Sequence, residues 1–330
     1  MNRRHVTLAC APYDRTLPLF DGRVSAEGLE LNVVLLRYED TFWRMLRHRE
    51  FEVSEMSLSS YLLSKDQDDP FIAIPVFLSR VFRHSSIYVN AKAGIRVPAD
   101  LKGKRIGVPE YQMTAALWIR GILQHEYGVH PRDMQWWNGG LDEPGRIEKL
   151  ALNLPADVHL ASIPATETLN DWLLEGKLDA LATARPPSSF RKRDPRVRQL
   201  FDDPKAVEID YWKKTGIYPP MHCVAIRRDV YERDRWIAQS LYKAFDAARR
   251  LCTLEDMWDG HLRYAHPLLH HSVEEALAVF GGSDPWRYGV PGNRHTLDTL
   301  AQYSHEQGLT RRRYAIEELF AAETLDVSRN

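Results

Sequence analysis

The stretch "FLSRVFRHSSIYVN" sets two guanidiniums and an imidazole, Arg80, Arg83 and His84, between apolar runs that read as buried strands, Phe71 to Leu78 and Ile87 to Val89. Charged side chains usually stay in water, so this is either a solvated loop between strands or a cationic cluster turned toward a ligand. Similar groups recur along the chain. Arg15 lies in the turn after the first strand, Ser59 in "SLSS", Ser85 beside His84, and Arg185 in "ARPPSSF". The run "VPEYQMTAA" adds Glu110, Tyr111, Gln112 and Thr114. A guanidinium fork suits a carboxylate, and that run opens a helix whose first N–H groups lack partners and can cradle an anion. Each signal is weak alone. Together they favour a small mono- or dicarboxylate over a phosphate, because neither GxGxxG nor GxxxxGK[ST] occurs.

For proton transfer the candidates are His84, His222 and Glu110, with Asp14 and Tyr111 behind them; imidazole titrates nearest neutral pH. No GxSxG elbow is present. Cys223 abuts His222, but neighbouring strand residues point to opposite faces and cannot form a nucleophile–base pair directly. His266 and His270 have the i, i+4 spacing of a metal pair, yet Pro267 interrupts them and no carboxylate pattern completes a site, so no metal is expected. No cofactor motif is found, and no cofactor is expected.

A formal net charge of −1 gives no global field toward nucleic acid or membrane, and neither is expected as a partner. No stretch approaches the roughly 20 apolar residues of a membrane helix. Cys10, Cys223 and Cys252 form no CxxC; Cys10 and Cys223 lie in apolar, strand-like runs, and all three read as buried thiols. The first apolar run is too short for a secretory segment. A cytoplasmic location is the expectation.

These side chains hang on alternating elements. Strands are predicted at Val6–Cys10, "LELNVVLL", Phe51–Met56, Phe71–Leu78, Arg105–Val108, "LDALAT" and "MHCVAIRR". Helices are predicted over "TFWRMLRHREF", from Leu58 under a Ser57 cap, from about Thr114 to Gly128, from Glu232 to Leu251, and at Val273–Phe280, Arg294–Gln307 and Arg312–Ala321. The alternation indicates α/β architecture with largely parallel sheets. The polar clusters fall at the carboxyl ends of strands, where such sheets bind ligands.

The segments "YDRTLPLFDGRV", "SEMSLSSYL", "FLSRVFRHSSIYVN", "LKGKRIGVPEYQMTAALWIRGIL", "LATARPPSSF" and "DPWRYGV…NRHTLDTLAQYSHEQGL" resemble 4,5-dihydroxyphthalate decarboxylases, over about Val6 to Thr324. The resemblance implies a two-lobed type II periplasmic-binding-protein-like fold with a ligand cleft between the lobes. Lobe one would be 1–88 plus 220–330 and lobe two 89–219, with Ile87–Asn90 as the first crossover. It implies cofactor-independent decarboxylation of an aromatic dicarboxylate: Arg80 and Arg83, with Arg15 or Arg185, anchor the anion, and His84 protonates the ring. Glu110, Tyr111 or His222 would hold the phenols. A nearby dianion would keep the imidazolium populated. A cytosolic solute-binding protein without chemistry is the rival reading. A homo-oligomer is left open, since the helical C-terminal third could pack on another subunit or on its own lobe.

Overall fold

The computed structural model describes residues 3–257, 262 and 264–326. The chain divides into two compact units. The first comprises Met1–Arg80, Pro220–Asp298 and Tyr314–Asn330, and the second Val81–Pro219 and Thr299–Arg313. The division at Asp298 falls inside the helix Arg294–Glu306, so Thr299–Arg313 belongs to the second unit, although the sequence had assigned all of 220–330 to one lobe.

Strands β1 (Arg4–Cys10), β2 (Leu29–Leu35), β3 (Val53–Ser57) and β4 (Phe71–Arg80) form in the first unit. Strands β5 (Ile87–Asn90), β6 (Arg105–Val108), β7 (Gln135–Asn138), β8 (His159–Ser162), β9 (Ala180–Ala182) and β10 (Val197–Gln199) form in the second. Strand β11 (Pro220–Arg227) returns to the first sheet, whose order is β2-β1-β3-β11-β4. In that sheet β2, β1 and β3 run parallel, and β11 runs antiparallel to both of its neighbours.

This topology brings the carboxyl ends of β1, β3 and β4 and the amino end of β11 to one edge of the sheet. Tyr13 and Arg15, Ser57 and Ser59, Arg80, and His222 therefore sit at or just beyond that edge. Register shifts flank His222 where β11 pairs with β4. A bulge of this kind re-aims a side chain that regular alternation would have fixed.

Strand β4 contains Pro75, which cannot donate to a ladder. It is tolerated because β4 is the sheet's edge strand. The exposed edge is covered by later chain: Gly289 N–H donates to Pro75 O (2.8 Å), Ala321 N–H to Ala73 O (2.9 Å), and Phe320 bridges Ala73. That pairing is why Arg312–Ala321 is not the helix its sequence suggests. Only a single short turn, Ile316–Glu318, is helical there, and the backbone around it serves the edge instead.

In the second unit the order is β10-β5-β9-β6-β7-β8, parallel from β9 to β8 and antiparallel around β5. Ile87–Asn90, expected as the crossover, is thus a full member of this sheet. The carboxyl ends of β6 and β9 and the amino end of β5 share an edge, which carries Glu110–Thr114, Arg185, and Arg83–Ser85. Tyr88, Leu169, Leu173, Leu178 and Leu181 pack a core beneath it. Each such fully buried side chain contributes about 1.5–3 kcal/mol.

The helix Thr114–Tyr127 ends at Gly128, whose φ of 64° is the left-handed cap expected from sequence. Its Met113 and Thr114 start lacks a side-chain cap bond, and Ser57 likewise occupies a cap position without making one. Midway along, Gly121 lies against the ring of Tyr303, where a Cβ would stand 1.9 Å from a ring atom. Gly121→Ala should therefore cost about 1–3 kcal/mol by overpacking, despite alanine's better helix propensity. The urea midpoint of unfolding measures this, and an unchanged or raised midpoint would contradict the packing described.

Candidate active site

At the edge of the first sheet the central group is Glu55, a strand residue with no exposed surface. Its Oε1 accepts from the Tyr13 hydroxyl (2.6 Å) and lies 2.7 Å from His222 Nδ1, and its Oε2 accepts from Ala11 N–H (3.1 Å). Burial pushes the carboxyl up. The His222 bond and charge, the Tyr13 bond and the Ala11 N–H together outweigh it and hold Glu55 below the usual carboxylate range. An ionised Glu55 can only accept, so His222 Nδ1 carries a proton and donates. Nε2 has no hydrogen-bond partner among the described residues, and the side chain keeps 13% of its surface exposed. Tyr38 and Phe42, on the helix Tyr38–His48, pack their rings on the imidazole at 5.4 and 4.9 Å.

Arg15 stands next to this group. Its guanidinium lies between the rings of Tyr13 (4.2 Å) and Trp286 (4.0 Å). Nε donates to Leu78 O (2.7 Å), Nη2 to the same oxygen, and Nη1 to Asp14 Oδ1 (2.9 Å). Each terminal nitrogen retains a second N–H. Arg80 is buried, donating to Arg287 O (3.1 Å) and to Asn293 Oδ1, with the Phe77 ring 5.0 Å away. Ser59 is fully buried in the first turn of the helix Leu58–Lys65. The structure thus gathers Arg15 and His222 through Tyr13 and Glu55. Cys223, as alternation required, turns into the core, where burial pushes its thiol up.

The edge of the second sheet is different in kind. Glu110 is buried in a salt bridge with Arg146 (2.6 Å) and Lys149. The N–H groups of Tyr111 and Gln112, in the loop just before the helix cap Met113, donate to Glu148 at 2.5 and 3.4 Å, whereas the helix's own first N–H groups, the cradle read from sequence, begin at Thr114. Burial and the charge of Glu110 push Glu148 up, against those two N–H bonds. The Gln112 amide oxygen, turned toward Lys149 and Leu150, accepts from their N–H groups at 2.6 and 3.0 Å. Tyr111 is buried under the guanidinium of Arg120 at 3.6 Å, and Thr114 is buried as the first helical residue. Arg83 is buried and donates to Ser86 Oγ and Ala184 O, both at 3.3 Å. Ser85 N–H donates to Glu208 (2.9 Å), and Arg185 is exposed.

His84, expected to protonate a substrate, occupies neither kind of position. Its ring is enclosed by Tyr211 (5.0 Å), Phe201 (5.6 Å) and Tyr127 (6.3 Å), and neither nitrogen has a partner among the described residues. Desolvation pushes it down to about 4, with only Glu126 opposing, so the ring is neutral at pH 7. It is a core histidine. Residues overlooked in the sequence are Glu55, Tyr13, Trp286, Arg146, Glu148 and Lys149. Tyr13 lay in the polar turn that opens "YDRTLPLFDGRV" and Trp286 in "DPWRYGV", and Glu55 stood as a carboxylate inside the strand-like run "FEVSEMS", where a buried charge must find partners. Among the described residues no group of three or more His, Cys, Asp or Glu is arranged to hold a metal ion.

The chain is 38% identical over 327 residues to a 4,5-dihydroxyphthalate decarboxylase of Comamonas testosteroni, covering 99% of each chain. It is 44% identical over 214 residues to a 4,5-dihydroxyphthalate decarboxylase of Pseudomonas putida, covering 64% of this chain and 83% of that one. No protein-family model matches the chain. Among solved structures it resembles the periplasmic aliphatic sulphonate binding protein SsuA of Escherichia coli (13% identity, 97% and 98% covered, TM-score 0.53). It also resembles SsuA of Xanthomonas axonopodis pv. citri bound to MOPS (15%, 98% and 98%, 0.52). A third likeness is to a mutant of DSZB in complex with biphenyl-2-sulfinic acid (16%, 97% and 96%, 0.51). At these identities the structural likenesses establish the fold, which is the solute-binding-protein type expected from sequence.

The buried state of His84 has a measurable consequence. An unfolded histidine titrates near 6.5 and the folded ring near 4, so between those pH values only the unfolded chain binds the proton. Stability should fall as pH drops from about 6.5 to about 4, by on the order of 3 kcal/mol. Thermal melts of the protein and of His84→Leu across that range should show a smaller acid loss in the variant. Parallel losses would mean that His84 is not the buried neutral ring described.

Proposed function

The chain belongs to the 4,5-dihydroxyphthalate decarboxylase family, and on that premise we propose that it removes one carboxyl group from 4,5-dihydroxyphthalate or a close aromatic dicarboxylate, leaving 3,4-dihydroxybenzoate and carbon dioxide. The reaction is not oxidative. The ring–carboxyl bond breaks, its electron pair stays with the ring, and a C–H bond forms at the same carbon. Each carboxylate lies para to a hydroxyl whose electron release raises charge at that carbon, so the ring is its own electron source. The protein must hold a dianion and deliver one proton.

In this reading His222 delivers the proton from Nε2, while ionised Glu55 holds Nδ1–H and stabilises the imidazolium. Arg15 binds the carboxylate that stays, through the N–H of each terminal nitrogen not committed to Leu78 or Asp14. The carrying observation is the 38% identity that runs through 99% of the chain; the Arg15–Tyr13–Glu55–His222 group supports it by joining an anion fork to a carboxylate-backed imidazole. A cytoplasmic site of action belongs to the same proposal and is supported by three free, buried thiols, which a reducing compartment preserves. No helix among the described residues is long and apolar enough to cross a membrane.

Incubation with 4,5-dihydroxyphthalate should release carbon dioxide and 3,4-dihydroxybenzoate in equal amounts. Binding without gas release would favour a solute-binding protein instead. His222→Asn should lower kcat by about 10²-fold or more; turnover within a few-fold of the parent would remove His222 from the mechanism. Arg15→Lys should raise KM by about 10-fold with a smaller change in kcat, because the fork is lost and the charge kept. An unaltered KM would count against the anchor.

A further inference from the structure

Tyr13 touches both halves of the proposed machinery. Its hydroxyl and His222 Nδ1 converge on one atom, Glu55 Oε1, at 2.6 and 2.7 Å. Its ring carries the Arg15 guanidinium at 4.2 Å. The other Glu55 oxygen is taken by Ala11 N–H. Burial and the Glu55 charge push the phenol up, so Tyr13 remains a donor throughout the neutral range.

We propose that Tyr13 is a positioning residue which, by sharing Oε1 with His222, limits how tightly Glu55 holds the imidazolium and so sets the pH range over which His222 carries its proton. The inference rests on the reading of His222 as proton donor, and it deepens that reading. A carboxylate oxygen that accepts two hydrogen bonds gives less to each than it would give to one. With the hydroxyl removed, Oε1 would serve Nδ1–H alone and the charged ring would be stabilised.

Few other groups can compete for this effect. The helix Tyr38–His48 presents the Tyr38 and Phe42 rings to the imidazole. The ladder neighbours are Ser57 on β3 and Ser79 on β4. Glu55 also feels the buried Cys10 and Cys223 thiols, which burial pushes up and keeps neutral. Arg15 lies against Tyr13, outside the direct Glu55–His222 bond.

Because ring and hydroxyl do different work, they can be separated. Tyr13→Phe keeps the Arg15 stack and loses the shared bond; Tyr13→Leu loses both. The measurements are the pH dependence of kcat and KM on 4,5-dihydroxyphthalate, and the ring titration of His222 by NMR, with circular dichroism as the check on folding. In Tyr13→Phe the His222 midpoint and the basic limb of kcat should move up together by about half to one pH unit. KM should stay within about 2-fold. In Tyr13→Leu the same displacement should come with a KM raised several-fold. Replacing Tyr13 by 3-fluorotyrosine, a stronger donor of nearly the same size, should move the midpoint down and serves if the phenylalanine variant folds poorly. A midpoint that stays put or moves the opposite way overturns the proposal, as does a pH-independent loss of about 10²-fold in Tyr13→Phe, which would make Tyr13 the proton donor. If the midpoint moves and the kcat limb does not, the sharing stands and the assignment of His222 as donor falls.

Discussion

A carboxylate without exposed surface must be surrounded by donors, and Glu55 meets that requirement with Ala11 N–H, the Tyr13 hydroxyl and His222. Much of the first sheet's edge follows from this. The turn after β1 is held where its N–H and phenol reach β3, and β11 shifts register on both sides of His222. The energetic reason is asymmetric: a satisfied buried carboxylate contributes modestly, whereas one stripped of a partner costs several kcal/mol. The same arrangement that makes Glu55 tolerable fixes the imidazole's tautomer.

The two histidines named as acid–base candidates show how environment decides chemistry. His222 faces a buried anion and keeps part of its ring exposed. His84 is caged by three aromatic rings with no polar partner for either nitrogen, and desolvation alone drives its titration down. An imidazole in a dry aromatic cage packs as a small aromatic ring. Beside an ionised carboxylate its tautomer is fixed, with Nδ1–H donating to Glu55.

In the second unit the loop that opens the helix Thr114–Tyr127 satisfies itself. Glu148 accepts from the Tyr111 and Gln112 N–H groups, Arg146 and Lys149 neutralise Glu110, and Arg120 binds Tyr111 O (2.8 Å) from behind. The chain thus supplies an anion to this loop from 36 or 37 residues away. Arg120 itself is a fully buried cation held by neutral acceptors, Gln307 Oε1 and Tyr111 O, and its burial lowers its basicity.

Alternation of apolar runs, glycine caps and long shared segments were enough to read α/β architecture, the solute-binding-protein type of fold and the decarboxylase family, because those features are local or are carried by whole stretches of residues. Strands β1, β3, β4 and β6, the helix ending at Gly128 and the end of β11 that carries His222 were all legible in that way. Which polar groups meet was not legible. Glu55 and His222 are 167 residues apart, Glu148 binds loop N–H groups 36 or 37 residues away, and Phe320 pairs with an edge strand from within a helical-looking run. Such pairings depend on sheet order and register, and spacing along one chain does not encode them. Burial does the rest, since the same side chain changes its protonation with the dielectric around it, and only the folded chain sets that.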